Sequence, residues 1–385
     1  MKENELEKLR LKIDDVDSEI LNLLAKRSDI VSEIGEHKLK KSAVVDLNRE
    51  EMILNRLLNK AKANYSNDTI IRIWRELFEA SSKLQISKKS SIETKRSISG
   101  IKPYKGGQSS LKGNSKIIKL SSNENSHGSS PKILQKLEIN KIKNLVHRYP
   151  EIDGLSIRNK IGKLNNINSD QIVLGCGSDE VLLFAALAFC KDGDEIIQAE
   201  HGFEMYPIIS NIVGATTKYA KEDNNYKVSV ESILDQITQS TKLIYIANPN
   251  NPTGNYLTKN EIIKLMNMTP KNIIVVIDGA YAEYVTKNDY DKGFLLLDQF
   301  ENLIFTRTFS KSYGLAGLRI GWSYSSAVVV DILNKVKGPF NTTLVSQEIA
   351  IEAIKDQKHI NKVVNLNTEV KEWFEKELKA LNINT

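Results

Sequence analysis

Cysteine is nearly absent from this chain: Cys176 and Cys190 are the only two in 385 residues. Two thiols cannot build a disulfide framework or a four-ligand zinc site, and they fit a reducing, cytoplasmic compartment. The histidines, at positions 37, 127, 147, 201 and 359, show no ligand spacing, so no metal is expected. Long apolar runs are missing as well. The longest, Val181 to Cys190, is about half of the roughly 20 residues that span a bilayer, so no membrane segment is expected. The amino terminus, Met-Lys-Glu-Asn-Glu, lacks the apolar core of a leader. A net charge of +6 without a basic stripe of interleaved aromatics argues against nucleic acid and suits small anionic ligands. Proline is missing from the first 86 residues, and Gly35 is the one glycine there.

A stretch with so few breakers reads as helix. Leu6, Leu9, Ile13, Val16, Ile20, Leu23, Leu24, Ile30, Val31 and Ile34 recur at helical spacing. The pattern predicts a helix from about residue 3 to 40, roughly 55 Å long at 1.5 Å per residue. An apolar stripe of that length cannot be buried within a small monomeric domain and needs a partner chain. Two shorter helices follow, over about 47–63 and 67–87, the latter with Asn67 as a candidate N-cap. Residues 1–88 thus read as an all-helical domain and residues 89–112, rich in Ser, Lys and Gly, as a polar linker.

From 113 to 385 strands and helices alternate, the pattern of a doubly wound α/β domain. Strands are expected at 171–175, 195–199, 215–219, 243–247, 273–278 and 303–307, with helices at 178–190 and 259–268 among those between or beside them.

The most telling run is Thr308-Phe-Ser-Lys-Ser-Tyr-Gly-Leu-Ala-Gly-Leu-Arg319. An amine flanked by two hydroxyls, with a guanidinium eight residues on, is what a phosphorylated aldehyde cofactor needs. Lys311 can form a Schiff base with the aldehyde, while Thr308, Ser310 and Arg319 hold the phosphate. This is the chemistry of pyridoxal 5'-phosphate (PLP). Other segments suit the same ligand. Leu174-Gly-Cys-Gly-Ser178-Asp179 reads as a strand, a glycine turn and a helix start whose N–H groups fit a phosphate. Phe203 suits either a ring stack or the core, and Asn251 either a turn or a donor to a phenolate oxygen. Asp278 ends a strand, where α/β sheets bind ligands, and a carboxylate there would keep a pyridine nitrogen protonated. Tyr281 would reach the same phenolate oxygen as Asn251.

The helical domain carries its own polar set. Arg10, Arg27 and Lys38 lie along the first helix, and the 11 residues from Arg27 to Lys38 are close to three turns, which places both on one face. Asp46, Arg49 and Glu50 open the second helix, and Ser81 and Gln85 sit one turn apart on the third. Such a set can converge on one anionic ligand inside a helical bundle.

On Leu9-Arg10, Leu23-Leu-Ala-Lys-Arg27 and Asp46-Leu-Asn-Arg49-Glu50, residues 5–86 resemble the all-helical chorismate mutases. The resemblance implies an intertwined homodimer that rearranges chorismate to prephenate. It gives the two carboxylates to Arg27, Arg49 and Arg10 of the partner subunit, with Ser81 assisting. Lys38 and Gln85 donate to the ether oxygen, and Glu50 and Asp46 face the ring hydroxyl. Being pericyclic, the reaction requires only folding of the substrate and stabilisation of charge in the breaking bond.

The second half resembles fold-type I PLP enzymes of the histidinol-phosphate aminotransferase-like branch. The marks are Ser121-Ser-Asn-Glu-Asn125, Arg148-Tyr149-Pro150, Asn251-Pro-Thr-Gly254, the lysine segment and Pro339-Phe-Asn341. That resemblance implies that Tyr149 reaches the cofactor phosphate of a neighbouring subunit. It also implies a closing small domain with a late, substrate-gripping arginine. Here Arg319 is the last arginine, and roughly 60–70 residues of that domain are expected to be missing, more than half of a typical small domain.

Together these readings predict a bifunctional enzyme of aromatic amino acid synthesis. The mutase makes prephenate, and the aminotransferase aminates prephenate or an aromatic 2-oxo acid, with glutamate as the usual donor. Two alternatives stand beside it: a mutase domain kept as a ligand-binding regulatory module, and a histidinol-phosphate aminotransferase carrying a helical dimerisation arm.

Overall fold

The computed structural model describes residues 2–37, 47–60, 65–86, 95–99, 101, 122–136, 146–294 and 296–383. The chain divides into two compact units, Met1–Lys102 and Pro103–Thr385. Apart from 95–99 and 101, the expected linker lies outside the described residues.

In the first unit the apolar periodicity produces α1 (Lys2–His37), α2 (Leu47–Lys60) and α3 (Asn67–Ile86). With 36 residues, α1 is roughly 54 Å long. The cap of α3 is one residue earlier than expected. Ser66, not Asn67, precedes the first helical residue, and its Oγ accepts the Thr69 N–H at 3.3 Å. Packing of α3 against both α1 and α2 buries Val31, Ile70 and Phe78. Most of the α1 stripe stays uncovered within the chain: Leu9, Ile13, Val16, Ile20 and Leu23 are 48–64% exposed.

In the second unit seven strands form one mixed sheet among the described residues: β1 (Ile172–Gly175), β2 (Glu195–Ala199), β3 (Thr216–Ala220), β4 (Thr241–Ala247), β5 (Ile274–Asp278), β6 (Leu303–Thr308) and β7 (Gly321–Ser325). Their order is β1-β7-β6-β5-β4-β2-β3. Strands β2 to β6 pair in parallel, and β7 runs antiparallel between β1 and β6. The alternation of strands and helices predicts the doubly wound layers but not β7, whose Gly-Trp-Ser-Tyr-Ser has little apolar character. Its five residues are nevertheless all buried, because both edges are paired.

Side chains of β5 divide between two cores with the period of a strand. Val275 and Ile277 join Ile262, Leu265 and Met266 of the helix Lys259–Met268 on one face. Val276 joins Leu182 and Ala185 of the helix Ser178–Phe189 on the other. Each such Val or Ile contributes about 1.5–3 kcal/mol when buried, so the central strands are the rigid part of the unit. Their carboxyl ends carry the chemistry.

Candidate active site

Asp278 is the last residue of β5 and is 4% exposed. Both of its oxygens are engaged. Oδ2 accepts the Tyr206 hydroxyl at 3.0 Å, and Oδ1 accepts the Thr306 hydroxyl at 2.8 Å. Burial, with nearby Asp179, pushes this carboxyl above its ordinary range, and the two hydroxyls and the Ala280 backbone N–H oppose the shift by bonding the ionised form. Tyr206 lies flat against Tyr245, with centroids 4.8 Å apart and planes 10° from parallel.

Lys311 follows the end of β6. Its Nζ lies 3.3 and 3.4 Å from the carbonyl oxygens of Ser122 and Asn123, and 5.3 Å from the centre of the Tyr281 ring. Asn125 holds the lysine backbone from the far side of the sequence, its Nδ2 donating to the carbonyls of Lys311 and Ser312 at 3.2 and 3.0 Å. Asn123 Nδ2 donates to the Tyr281 hydroxyl at 3.1 Å.

Around the lysine lies a cavity of about 640 Å³, lined by Ser178, Asp179, Phe203, Asn251, Asp278, Tyr281, Thr308, Ser310, Lys311 and Arg319, with Ser122 and Asn123 among the rest. At one end the helix Ser178–Phe189 starts at Gly177, which has no side chain to cap the first turn. Its backbone N–H groups are therefore available to an anion. Beside them Thr308 Oγ1 donates to Ser310 Oγ at 2.9 Å, and Arg319 Nη1 donates to Ser310 Oγ at 3.3 Å. Gly177 has φ of 81°, and a Cβ there would run into the Arg319 guanidinium. Arg319 is itself left-handed, with φ of 49°, a conformation an arginine adopts at a cost. Asp179 Oδ2 sits 3.4 Å from Arg319 Nη2; burial raises its carboxyl and Arg319 pulls it back. Phe203 lines the cavity while packing edge-on against Tyr206, so it serves wall and core together.

Tyr149 does not line this cavity. It is 80% exposed and stacks on Phe340 at 4.5 Å. Tyr206, Thr306, Asn123 and Asn125 entered no sequence-based ligand set, since their role depends on contacts across the fold. A hydroxyl three residues after Phe203 is the faint signal for Tyr206.

In the helical unit, Arg27 and Ser81 converge from α1 and α3. Arg27 Nη1 donates to Ser81 Oγ and to the Leu77 carbonyl at 3.3 Å, and its guanidinium lies 5.9 Å from the Phe78 ring centre. Burial lowers the Arg27 pKa from its ordinary value. Arg10 lies about 25 Å along α1 from Arg27 and pairs with Glu7 at 3.6 Å on the exposed surface. On α2, Arg49 is exposed and Glu50 half-buried. Lys38, Asp46 and the Gln85 side chain lie outside the described residues.

An amine and a buried carboxylate lining one cavity, at the carboxyl ends of a mixed sheet and beside a helix start open to an anion, define a cofactor-dependent α/β transferase. The chain belongs to the aminotransferases of class I and II, whose family model matches residues 115–383. A second model, chorismate mutase type II, matches residues 9–86. The chain is 40% identical over 280 residues to histidinol-phosphate aminotransferase of Ruegeria pomeroyi, covering 73% of this chain and 76% of that one. With the Pelagibacter ubique enzyme of the same name it is 42% identical, covering 69% and 73%. Among solved structures, histidinol-phosphate aminotransferase of Sinorhizobium meliloti in complex with pyridoxal-5'-phosphate shares the fold. It has a TM-score of 0.59 and 24% identity, covering 63% of this chain and 65% of that one. An aromatic aminotransferase of Pyrococcus horikoshii superposes with a TM-score of 0.61 and 22% identity, covering 68% and 74%. The chain therefore spans about three quarters of the curated relatives it matches.

Proposed function

We propose that this is a cytoplasmic, homodimeric, bifunctional enzyme of aromatic amino acid synthesis. The helical unit rearranges chorismate to prephenate. The second unit transfers an amino group, with glutamate as donor, to prephenate or an aromatic 2-oxo acid. One observation carries the reading: a chorismate-mutase-type unit, with Arg27 and Ser81 brought together, shares a chain with a lysine-centred aminotransferase cavity.

The residues present fit PLP. The Gly177 turn would be closed by any Cβ, and the open helix start, two hydroxyls and one guanidinium match a phosphate. When bound, PLP supplies an aldehyde that carries the amino group and a ring that takes up electrons. With PLP bound, Lys311 Nζ would be its covalent anchor between turnovers and the base that takes the proton from the substrate α-carbon and passes it on. Asp278 would keep a proton on the ring nitrogen. Asn251 and Tyr281 would donate to the phenolate oxygen. Ser178, Asp179 through its backbone, Thr308, Ser310 and Arg319 would anchor the phosphate, and Phe203 would cover the ring. Tyr149, exposed while stacked on Phe340, would reach a neighbouring subunit's phosphate. In the mutase half, Arg27 and Arg49 with Arg10 of the partner subunit bind the carboxylates, and Ser81 assists. Lys38 and Gln85 donate to the ether oxygen, and Asp46 and Glu50 face the ring hydroxyl. The uncovered α1 stripe supports the dimer, since a second copy would bury it.

Incubating the full chain with chorismate, glutamate and PLP is expected to yield prephenate and then an aminated aromatic product. A second reading follows from the curated relatives, which are named histidinol-phosphate aminotransferases. Turnover of histidinol phosphate with none of prephenate or aromatic 2-oxo acids would replace the first. A Gly177→Ala substitution tests the phosphate cradle. It forces an L side chain into an extended positive-φ conformation that essentially only glycine adopts, at about 1–3 kcal/mol, and pushes on Arg319. PLP affinity is expected to fall about tenfold by equilibrium titration, the loss of one charge-assisted contact.

A further inference from the structure

Asp278 lies at the floor of the cavity, where burial works against its charge. Two hydroxyls from different elements meet it. Tyr206 comes from the helix Met205–Val213, and Thr306 from the neighbouring strand β6. Tyr206 is 1% exposed, Thr306 is fully buried, and each oxygen of the carboxylate receives one O–H. The Tyr206 ring is itself held, stacked on Tyr245 and met edge-on by Phe203 at 5.6 Å. Tyr245 is in turn anchored by donation from its hydroxyl to the Leu182 carbonyl at 2.6 Å. Neither hydroxyl has freedom to do anything else.

Resting on the PLP reading above, we propose that Tyr206 and Thr306 are positioning residues that hold Asp278 ionised and aimed at the ring nitrogen. A buried carboxylate without donors takes up a proton, and a neutral acid stabilises a pyridinium far less than a charged one. Two side-chain donors, one on each oxygen, act with the Ala280 backbone N–H to keep the charge against burial and the nearby Asp179, and they lock the carboxylate plane. Each oxygen retains acceptor capacity for the ring N–H.

Three variants and one control test this in the full chain by two readouts that do not depend on turnover: equilibrium binding of PLP, and the pH midpoint of the visible absorption band of the lysine-bound cofactor. Tyr206→Phe and Thr306→Val are expected to weaken PLP binding about tenfold or more, as for a lost hydrogen bond to a charged group. Both are expected to move the pH midpoint upward. A ring nitrogen that loses its proton withdraws fewer electrons, so the linked nitrogen becomes more basic. Thr306→Ser, which keeps the hydroxyl, and Tyr245→Phe, which alters the same stack without touching Asp278, are expected to match wild type in both readouts. Tyr206→Phe and Thr306→Val behaving like wild type would overturn the proposal. So would a Tyr245→Phe effect equal to that of Tyr206→Phe, which would reduce Tyr206 to packing. A wild-type chain that binds no PLP and shows no visible band would instead overturn the cofactor reading itself.

Discussion

Replacing Lys311 with alanine is expected to abolish amino transfer while chorismate rearrangement continues at the wild-type rate. The Lys311 amine is held by two backbone carbonyls and lies over the Tyr281 ring at the centre of the cavity. In the proposed role of Lys311, alanine removes both the covalent anchor of the aldehyde and the base that moves the α-carbon proton. Loss of general acid–base catalysis alone costs about 10²- to 10⁴-fold in rate, so turnover should fall at least that far. The visible band of the lysine-bound cofactor should vanish with it. The scaffold should survive, because Asn125 grips the backbone carbonyls of Lys311 and Ser312 rather than the lysine side chain. The mutase residues belong to the other compact unit, Met1–Lys102. Amino transfer persisting in the alanine variant would sink the assignment of Lys311. A parallel loss of mutase activity would show that the substitution had damaged the whole chain.

Arg27→Ala is expected to do the reverse, lowering kcat/KM for chorismate by about ten- to a hundredfold through KM, as for a lost hydrogen-bonding cation. Its guanidinium is partly desolvated against Phe78 and oriented by Ser81 and the Leu77 carbonyl. Burial lowers its pKa, but an arginine stays charged at any working pH. A partly dry, oriented cation binds a carboxylate equally in substrate and transition state. Lys38→Ala and Gln85→Ala should separate from it. In the proposed roles both are donors to an oxygen whose charge grows only as the bond breaks, and each substitution is expected to cost about 10²- to 10³-fold in kcat with little change in binding. Steady-state kinetics on the three variants reads the difference directly. Equal splits between KM and kcat in all three would remove the role assignments, and unchanged turnover in Lys38→Ala or Gln85→Ala would remove those donors.

The helices of the first unit were legible because their information is local. Apolar residues recur at helical spacing from Leu6 to Ile34, and no proline or glycine breaks the run. The lysine segment was legible for the same reason: Thr308, Ser310, Lys311 and Arg319 lie within twelve residues. Strand ends shifted by one or two residues, as at β4, which starts at Thr241 rather than 243. The omission of β7 has a different cause. Gly321 to Ser325 carries no period of its own, and its burial comes entirely from pairing on both sides with strands distant in sequence.

The amino acid sequence alone determined the helical periodicity, the strand–helix alternation and the identity of the reactive amine, because each is written in residues a few positions apart. Only the tertiary structure decided which groups meet. Tyr206 and Asp278 are 72 positions apart, Asn125 and Lys311 186, Arg27 and Ser81 54. Sheet order and helix packing bring those pairs within hydrogen-bonding distance. A hydroxyl with no nearby partner in the chain carries no mark of the carboxylate it will face, so the support of Asp278 became visible only once strands β5 and β6 lay side by side.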